Sequence, residues 1–243
     1  MSAVCDMSED LSIVLPMRAG SQRVPKKNTK PFAGYRYGLA DLKIRQLLGV
    51  PGVSEIIVDT DEPLIVDIVD SLGLSKQERS KIRVEPRDPN FSGSDITTDS
   101  LIRYLANKLE TKDVLWTHVT SPFINASVYV DAIQSYFERD RAQYDSLMSV
   151  TVLQEFIWDD QGPCNYDVKV ERWPRTQTLP KWHFVNSGMF ICDSSFYRDK
   201  GDRIGSKPFL FEIDKIIGFD VDWPIDFEVA EYIAIQRPEL IRF

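Results

Sequence analysis

Residues 11–34 read LSIVLPMRAGSQRVPKKNTKPFAG. The run LSIVLP is short, apolar and β-branched, as expected of one strand buried on both faces of a sheet. The next residues set Arg18, Arg23, Lys26, Lys27 and Lys30 within thirteen positions, among Ala19, Gly20, Ser21 and Pro25. The 243-residue chain as a whole is acidic, with 29 Lys and Arg against 37 Asp and Glu and a formal charge of −8. Such a balance argues against general nucleic-acid binding, which needs a basic face. The cluster therefore points to a local anion site just after the first strand.

Outward from this stretch, short apolar runs alternate with helical patterns. Strands are expected at 11–16, 54–60, 81–86, 113–120 and 146–153, with helices at 38–49, 62–73, 97–110 and 126–139 between them. This rhythm is that of βαβ units and a mainly parallel sheet, which binds ligands beyond the carboxyl ends of its strands. The rhythm breaks after 153. Residues 154–192, rich in Trp, Pro and polar residues, read as an arm inserted into a single domain covering 11–243, and residues 211–236 as a returning strand and closing helix. Residues 1–10 read as a loose leader without the basic and apolar regions of a signal peptide. No apolar run approaches the roughly 20 residues that span a bilayer, so no membrane partner is expected. Cys5, Cys164 and Cys192 are few and far apart, which fits idle thiols in a reducing cytoplasm.

The loop after the first strand matches neither GxxxxGK[ST] nor GxGxxG. Its parts still suit an anion. Ala19, Gly20 and Ser21 let backbone N–H groups approach phosphate oxygens. Arg18 and Arg23 can donate bidentate hydrogen bonds, and Lys27 and Lys30 add point charges. A solvated basic loop is the plain alternative. Near the other end, FDVDW places Asp220 and Asp222 two residues apart. On an extended chain both side chains share a face, and two hard carboxylates beside a triphosphate suit Mg²⁺. The alternative is that Asp222 caps the helix beginning near Pro224 and Asp220 is a surface acid, with Asp226 as a further ligand candidate. The segment SGSDITTDS could likewise simply cap a helix through Ser94 or Asp95.

Six segments in order resemble the CMP-sugar synthetases, the acylneuraminate and related nonulosonate cytidylyltransferases. They are RAGSQRVPKKNTKPFAG (18–34), IIVDTDE (56–62), PRDPNFSGSDITTDSL (86–101), HVTSPF (118–123), PRTQTLPKWHFVNSGMFI (174–191) and FDVDWPIDFEVAE (219–231). The resemblance implies an α/β, three-layer Rossmann-like nucleotidyltransferase fold with a mainly parallel sheet and a small arm for homodimerisation. It implies transfer of CMP from CTP to a 2-keto sugar acid with Mg²⁺, or Mn²⁺, as cofactor. Arg18, Arg23 and Lys27 would serve the reacting phosphates. Met17, Ala19, Gly20, Ser21, Asn28, Arg87, Ser94, Thr97 and Thr98 would bind CTP. His118, Ser121, Arg175, Gln177, Lys181 and Asn186 would hold the sugar acid, and Asp220 and Asp222 the metal. Four positions depart from the family pattern. Gln22 replaces a lysine, His118 a glutamine, Ile124 an arginine and Ser187 a glycine. The alternatives are a cytidylyltransferase for another acid such as Kdo, and a non-catalytic nucleotide-binding member.

Overall fold

Parallel strands buried on both faces carry continuous apolar runs, and LSIVLP becomes such a strand. In the computed structural model, which describes residues 10–93 and 95–243, it is β1 (Leu11–Met17), with all but Pro16 buried. The other strands are β2 (Glu55–Thr60), β3 (Ile82–Pro86), β4 (Asp113–Thr117), β5 (Ser146–Leu153), β6 (Trp158–Asp159), β7 (Gly162–Pro163), β8 (Trp182–Asp193) and β9 (Pro208–Glu212). Seven of them form one sheet in the order β3-β2-β1-β4-β8-β5-β9. Only β8 runs antiparallel to its neighbours. The sheet is thus mainly parallel, as the βαβ rhythm predicts.

Helices cover both faces. On one side lie α1 (Gly38–Leu48), α2 (Leu64–Ser71), α5 (Ala126–Glu138) and α6 (Pro224–Gln236), packed on Leu11, Ile13 and Leu15. On the other, α4 (Thr98–Ala106) and a π-helical turn at Phe196–Lys200 pack on Val14, Val114 and Trp116. The side chains of β1 therefore alternate between two cores, which gives the three layers. A further short helix, α3 (Lys76–Ser80), is capped by Ser75, which accepts from Glu78 N while the Glu78 carboxylate accepts from Ser75 N. It falls between the helix expected at 62–73 and the strand expected at 81–86. The strand expected at 113–120 stops at Thr117, freeing residues 118–125 as a loop.

The segment 154–192 divides. Residues 182–185 pair with the end of β5, and 186–193 continue β8 into the centre of the sheet between β4 and β5. Only the preceding stretch, with the two-residue ladder β6–β7, stands away from the sheet. β1 feeds β2 and β3 on one side and has β4 on the other, so the chain changes direction between β1 and β4. A crevice at such a switch point is where open α/β sheets take ligands.

Candidate active site

The crevice is a cavity of about 520 Å³ outside the carboxyl ends of β1 and β4. Of the loop cations, Arg18, Arg23 and Lys27 line it, with Ser21, Gln22 and Asn28. The Asn28 amide donates to Arg18 O (3.1 Å), pinning the loop to its own start. Arg18 Nη1 reaches Gly93 O at 3.5 Å across the mouth. Lys30 turns away and rests on the Phe227 ring, 4.4 Å from its centroid.

The backbone cradle differs from the expectation. Ala19 N donates to the Asp61 carboxylate at 2.6 Å, so that amide is already engaged. Met17 is wholly buried in the core below the loop. Neither Met17, Ala19 nor Gly20 lines the cavity. The anion surface here is made mainly by side chains.

Asp220 and Asp222 come to the same wall from the other end of the chain, while Val221 between them is buried in the core. They lie in extended chain just after the turns that follow β9, held by Val221 N donating to Thr120 O (2.8 Å) and Lys27 Nζ donating to Val221 O (2.8 Å). Asp222 Oδ1 is 3.3 Å from Arg23 Nη2 and 3.7 Å from Lys27 Nζ. Helix α6 is capped otherwise: Asp226 Oδ2 accepts from Asp222 N and Trp223 N at 3.0 and 2.7 Å. Asp222 is therefore no cap, and Asp226 is spent on the helix start. Asp220 Oδ1 is buried without a partner among the described residues, and burial raises its pKa, with Asp222 adding to the rise. A buried carboxylate oxygen lacking a donor beside a second carboxylate fits a hard cation. Burial also lowers the pKa of Lys27, against the pull of Asp222 and Asp220.

The opposite wall is formed by Arg87, Phe91, Thr97 and Thr98. Arg87 is fixed by Asp59, with Nε donating to Oδ2 at 2.7 Å and Nη2 to the carbonyl at 3.1 Å. Thr97, rather than Asp95, caps α4 by accepting from Ser100 N. Ser94 lies outside the described residues.

The floor beyond β4 holds groups that the sequence reading only partly found. Trp116 Nε1 donates to His118 Nε2 at 3.1 Å, and Arg203 Nη1 lies 3.2 Å from the same nitrogen. Indole N–H can only donate, so Nε2 is the acceptor and the ring proton sits on Nδ1. Burial, with the Arg203 charge next in size, pushes the His118 pKa down to about 3. The loop after His118 is held from below by Lys43, fully buried, whose Nζ donates to Ser121 O and Ile124 O at 2.8 Å each and to Tyr129 OH at 3.1 Å. Ser121 is thus tied through its backbone beneath the cavity and does not line it.

Asn186 is buried in the sheet. Its Oδ1 accepts from Ser149 Oγ (2.7 Å) and Gly188 N (3.1 Å), and its Nδ2 donates to Thr151 Oγ1 (3.0 Å). These bonds lie at the register shift where β5 and β8 fall out of step. Ser187 there has φ +56°, the left-handed conformation that suits glycine, and faces the cavity. Arg175, Gln177 and Lys181 are exposed on the arm, outside the cavity. Lys43 and Arg203 were missed. Lys43 stands between Leu42 and Ile44, next to the apolar face of its helix, which was a weak signal for the first; nothing local in GDRIGSK marks the second.

A cytidylyltransferase family model matches residues 12–166. The chain is 22% identical over 231 residues to the pseudaminic acid cytidylyltransferase of Campylobacter jejuni, covering 90% of this chain and 94% of that protein. Its fold is similar to that of a solved CMP:2-keto-3-deoxy-manno-octonic acid synthetase complexed with CTP (TM-score 0.65, 17% identity, 93% of this chain and 99% of the other). It is also similar to that of the 4-diphosphocytidyl-2C-methyl-D-erythritol synthase of Anaerococcus prevotii (TM-score 0.62, 14% identity, 96% and 98%). The family match spans well over half of the sequence and runs from the first strand through the cationic loop, the Arg87 wall and the His118 floor, so the chain belongs to the cytidylyltransferase family.

Proposed function

We propose that the protein transfers CMP from CTP to the anomeric hydroxyl of a 2-keto sugar acid, an N-acylneuraminate or related nonulosonate. The observation that carries this reading is the meeting of the cationic loop after β1 with the Asp220–Asp222 pair in one cavity. The acceptor class follows from the name of the Campylobacter relative. The anomeric oxygen attacks the α-phosphorus, the bond from that phosphorus to the bridging oxygen breaks, pyrophosphate leaves, and the hydroxyl proton passes to solvent.

Little covalent chemistry falls to the protein in such a step. Position and charge do the work. Arg18, Arg23 and Lys27 would neutralise the triphosphate and the departing pyrophosphate. Arg87, held rigid by Asp59, and the Thr97–Thr98 edge would face the base. Asp220 and Asp222 would hold Mg²⁺ or Mn²⁺, which in such sites neutralises phosphate charge. Asp222 would then exchange its contacts with Arg23 and Lys27 for the metal, leaving both cations to the phosphates.

The arm suggests a homodimer. Trp158 and Trp173 stack 6.4 Å apart and 19° from parallel, and both are more than half exposed. A solvent-facing aromatic cluster of this kind marks an interface. A cytoplasmic place in cell-surface polysaccharide synthesis is consistent with the activity, and no described helix is long and apolar enough to cross a membrane.

The test is pyrophosphate release from CTP, ATP, GTP and UTP with a panel of 2-keto sugar acids over a Mg²⁺ titration. Release specific to CTP and to one acid is expected. Equal use of the purine nucleotides would overturn the reading.

A further inference from the structure

Arg203 lies in the loop after β8, outside every motif named above, yet it lines the cavity. Its guanidinium sits against the Phe190 ring at 3.8 Å and near the Trp116 ring at 5.3 Å. One donor, Nη1, is directed at His118 Nε2. No carboxylate lies within ion-pair distance of it among the described residues, and the groups whose charge favours it are Tyr197 first, then Asp202 and Asp99, not the Asp220–Asp222 pair. Burial lowers its pKa from the usual arginine value.

The loop is held firmly. Asp202 Oδ1 accepts from Arg203 N (2.7 Å) and Ile204 N (3.3 Å). Asp145 accepts from Ser206 N (2.9 Å) and Lys207 N (3.1 Å), and Ser146 Oγ from Gly205 N (2.9 Å). Arg203 is thus a half-buried, aromatic-stacked cation with a flat fork that lines the cavity, with no carboxylate at ion-pair distance among the described residues. Such an arrangement is costly unless a ligand supplies the anion.

We infer that Arg203 anchors the carboxylate of the sugar acid, with His118 as the neutral acceptor that sets the plane of its guanidinium. The inference rests on the function proposed above and assigns its acceptor site. A carboxylate is planar and takes two parallel N–H donors, which matches the fork left free by the His118 contact. Phosphates have their own cations at the other end of the cavity. His118 cannot compete for the charge, because its donor-facing nitrogen must stay unprotonated to accept from Trp116. His118 is accordingly a positioning residue and Arg203 a binding one.

The experiment is steady-state pyrophosphate release with pseudaminic acid, 2-keto-3-deoxy-manno-octonic acid and N-acetylneuraminate, and with the methyl ester of whichever acid the wild type uses. Arg203→Ala should raise the KM for the acid on the order of a hundredfold, with the KM for CTP held within about twofold. Arg203→Gln keeps the stem against Phe190, guards against a folding defect, and should behave alike. Arg203→Lys keeps the charge but not the fork and should fall between. The wild type should reject the ester, and Arg203→Ala and Arg203→Gln should use acid and ester about equally. If the KM for CTP rises in parallel, or if the variants still reject the ester, Arg203 does not read the carboxylate. If the wild type releases no pyrophosphate with any acid, the proposed function itself fails and the assignment falls with it. That failure shows in the wild type, before any variant is made.

Discussion

The two ends of the cavity are built in opposite ways. The end proposed for the triphosphate draws its cations from one loop, Arg18 to Lys27, with the Arg23 side chain 48% exposed and its charge shared loosely with Asp222. The end proposed for the acceptor is drawn from β4, β8 and the loops beyond them, and Trp116, His118 and Arg203 lock each other in place. Exposed cations on a loop adapt at small cost to a triphosphate that brings metal and charge of its own. A small neutral-bodied sugar with one carboxylate offers less binding energy, so its site must be set beforehand. Substitutions at the first end should therefore act on turnover, and those at the second on recognition and on the response to pH.

The largest effect is expected at the acidic pair. Asp220→Asn should lower turnover by about a hundredfold to a thousandfold, while the thermal midpoint holds or rises, because burial already disfavours the Asp220 charge. Asp222→Asn should also lose activity and need more Mg²⁺, with the fold intact since Asp226 does the capping. A melt beside a Mg²⁺ titration decides both, and full activity of either variant at low Mg²⁺ would remove the metal assignment. Next comes Arg18→Ala, which should cost about 3 kcal/mol of transition-state stabilisation, roughly a hundredfold in rate, without shifting the melt. Near-normal turnover would mean that the loop does not hold the phosphates.

His118→Gln probes the acceptor end through pH. The folded pKa near 3 lies below the ordinary 6.5. Between those values the unfolded chain takes up a proton that the native state refuses, so stability falls as pH drops from about 6.5 toward 3 and is unaffected above it. The glutamine variant should lose that part of the slope. Denaturant midpoints at pH 7.5 and pH 5 check it, and identical slopes in both proteins would show that His118 titrates normally. The smallest effect belongs to Ser187→Gly. Relief of the left-handed strain and the extra freedom of glycine in the unfolded chain nearly offset each other, so stability should change by less than about 1 kcal/mol. A larger loss would assign Ser187 a contact beyond its backbone.

The same contrast explains what could be read from sequence. The βαβ frame, the cationic loop and the Asp220–Asp222 spacing are local patterns, and each was legible. Even there, the engagement of Ala19 by Asp61 was hidden, since it joins the ends of two strands 42 residues apart. The acceptor end had no local pattern. Arg203 looks like any loop cation until β8 brings it under His118, 85 residues away. Asn186, read as a sugar contact, is spent on Ser149 and Thr151, because a side chain inside a sheet bonds to whichever strand lies beside it. Lys43 shows the reverse case, a buried cation satisfied by two carbonyls of the loop it supports.

The central place of β8 also governs how the molecule comes into being. β4 and β5 have no register with each other, and both wait for a strand made some 30 residues after β5 ends. A growing chain that has emerged only as far as the arm already carries its full set of loop cations, yet it holds one piece of sheet, β3-β2-β1-β4, with the edge of β4 bare, and β5 without either of its partner strands. Such edges invite pairing with other chains. Arg203 and Asp220 both follow β8 in the chain, so on the ribosome the cavity gains these two walls only after β8 has been made, and with the proposed roles the half-made protein would not yet hold both substrates.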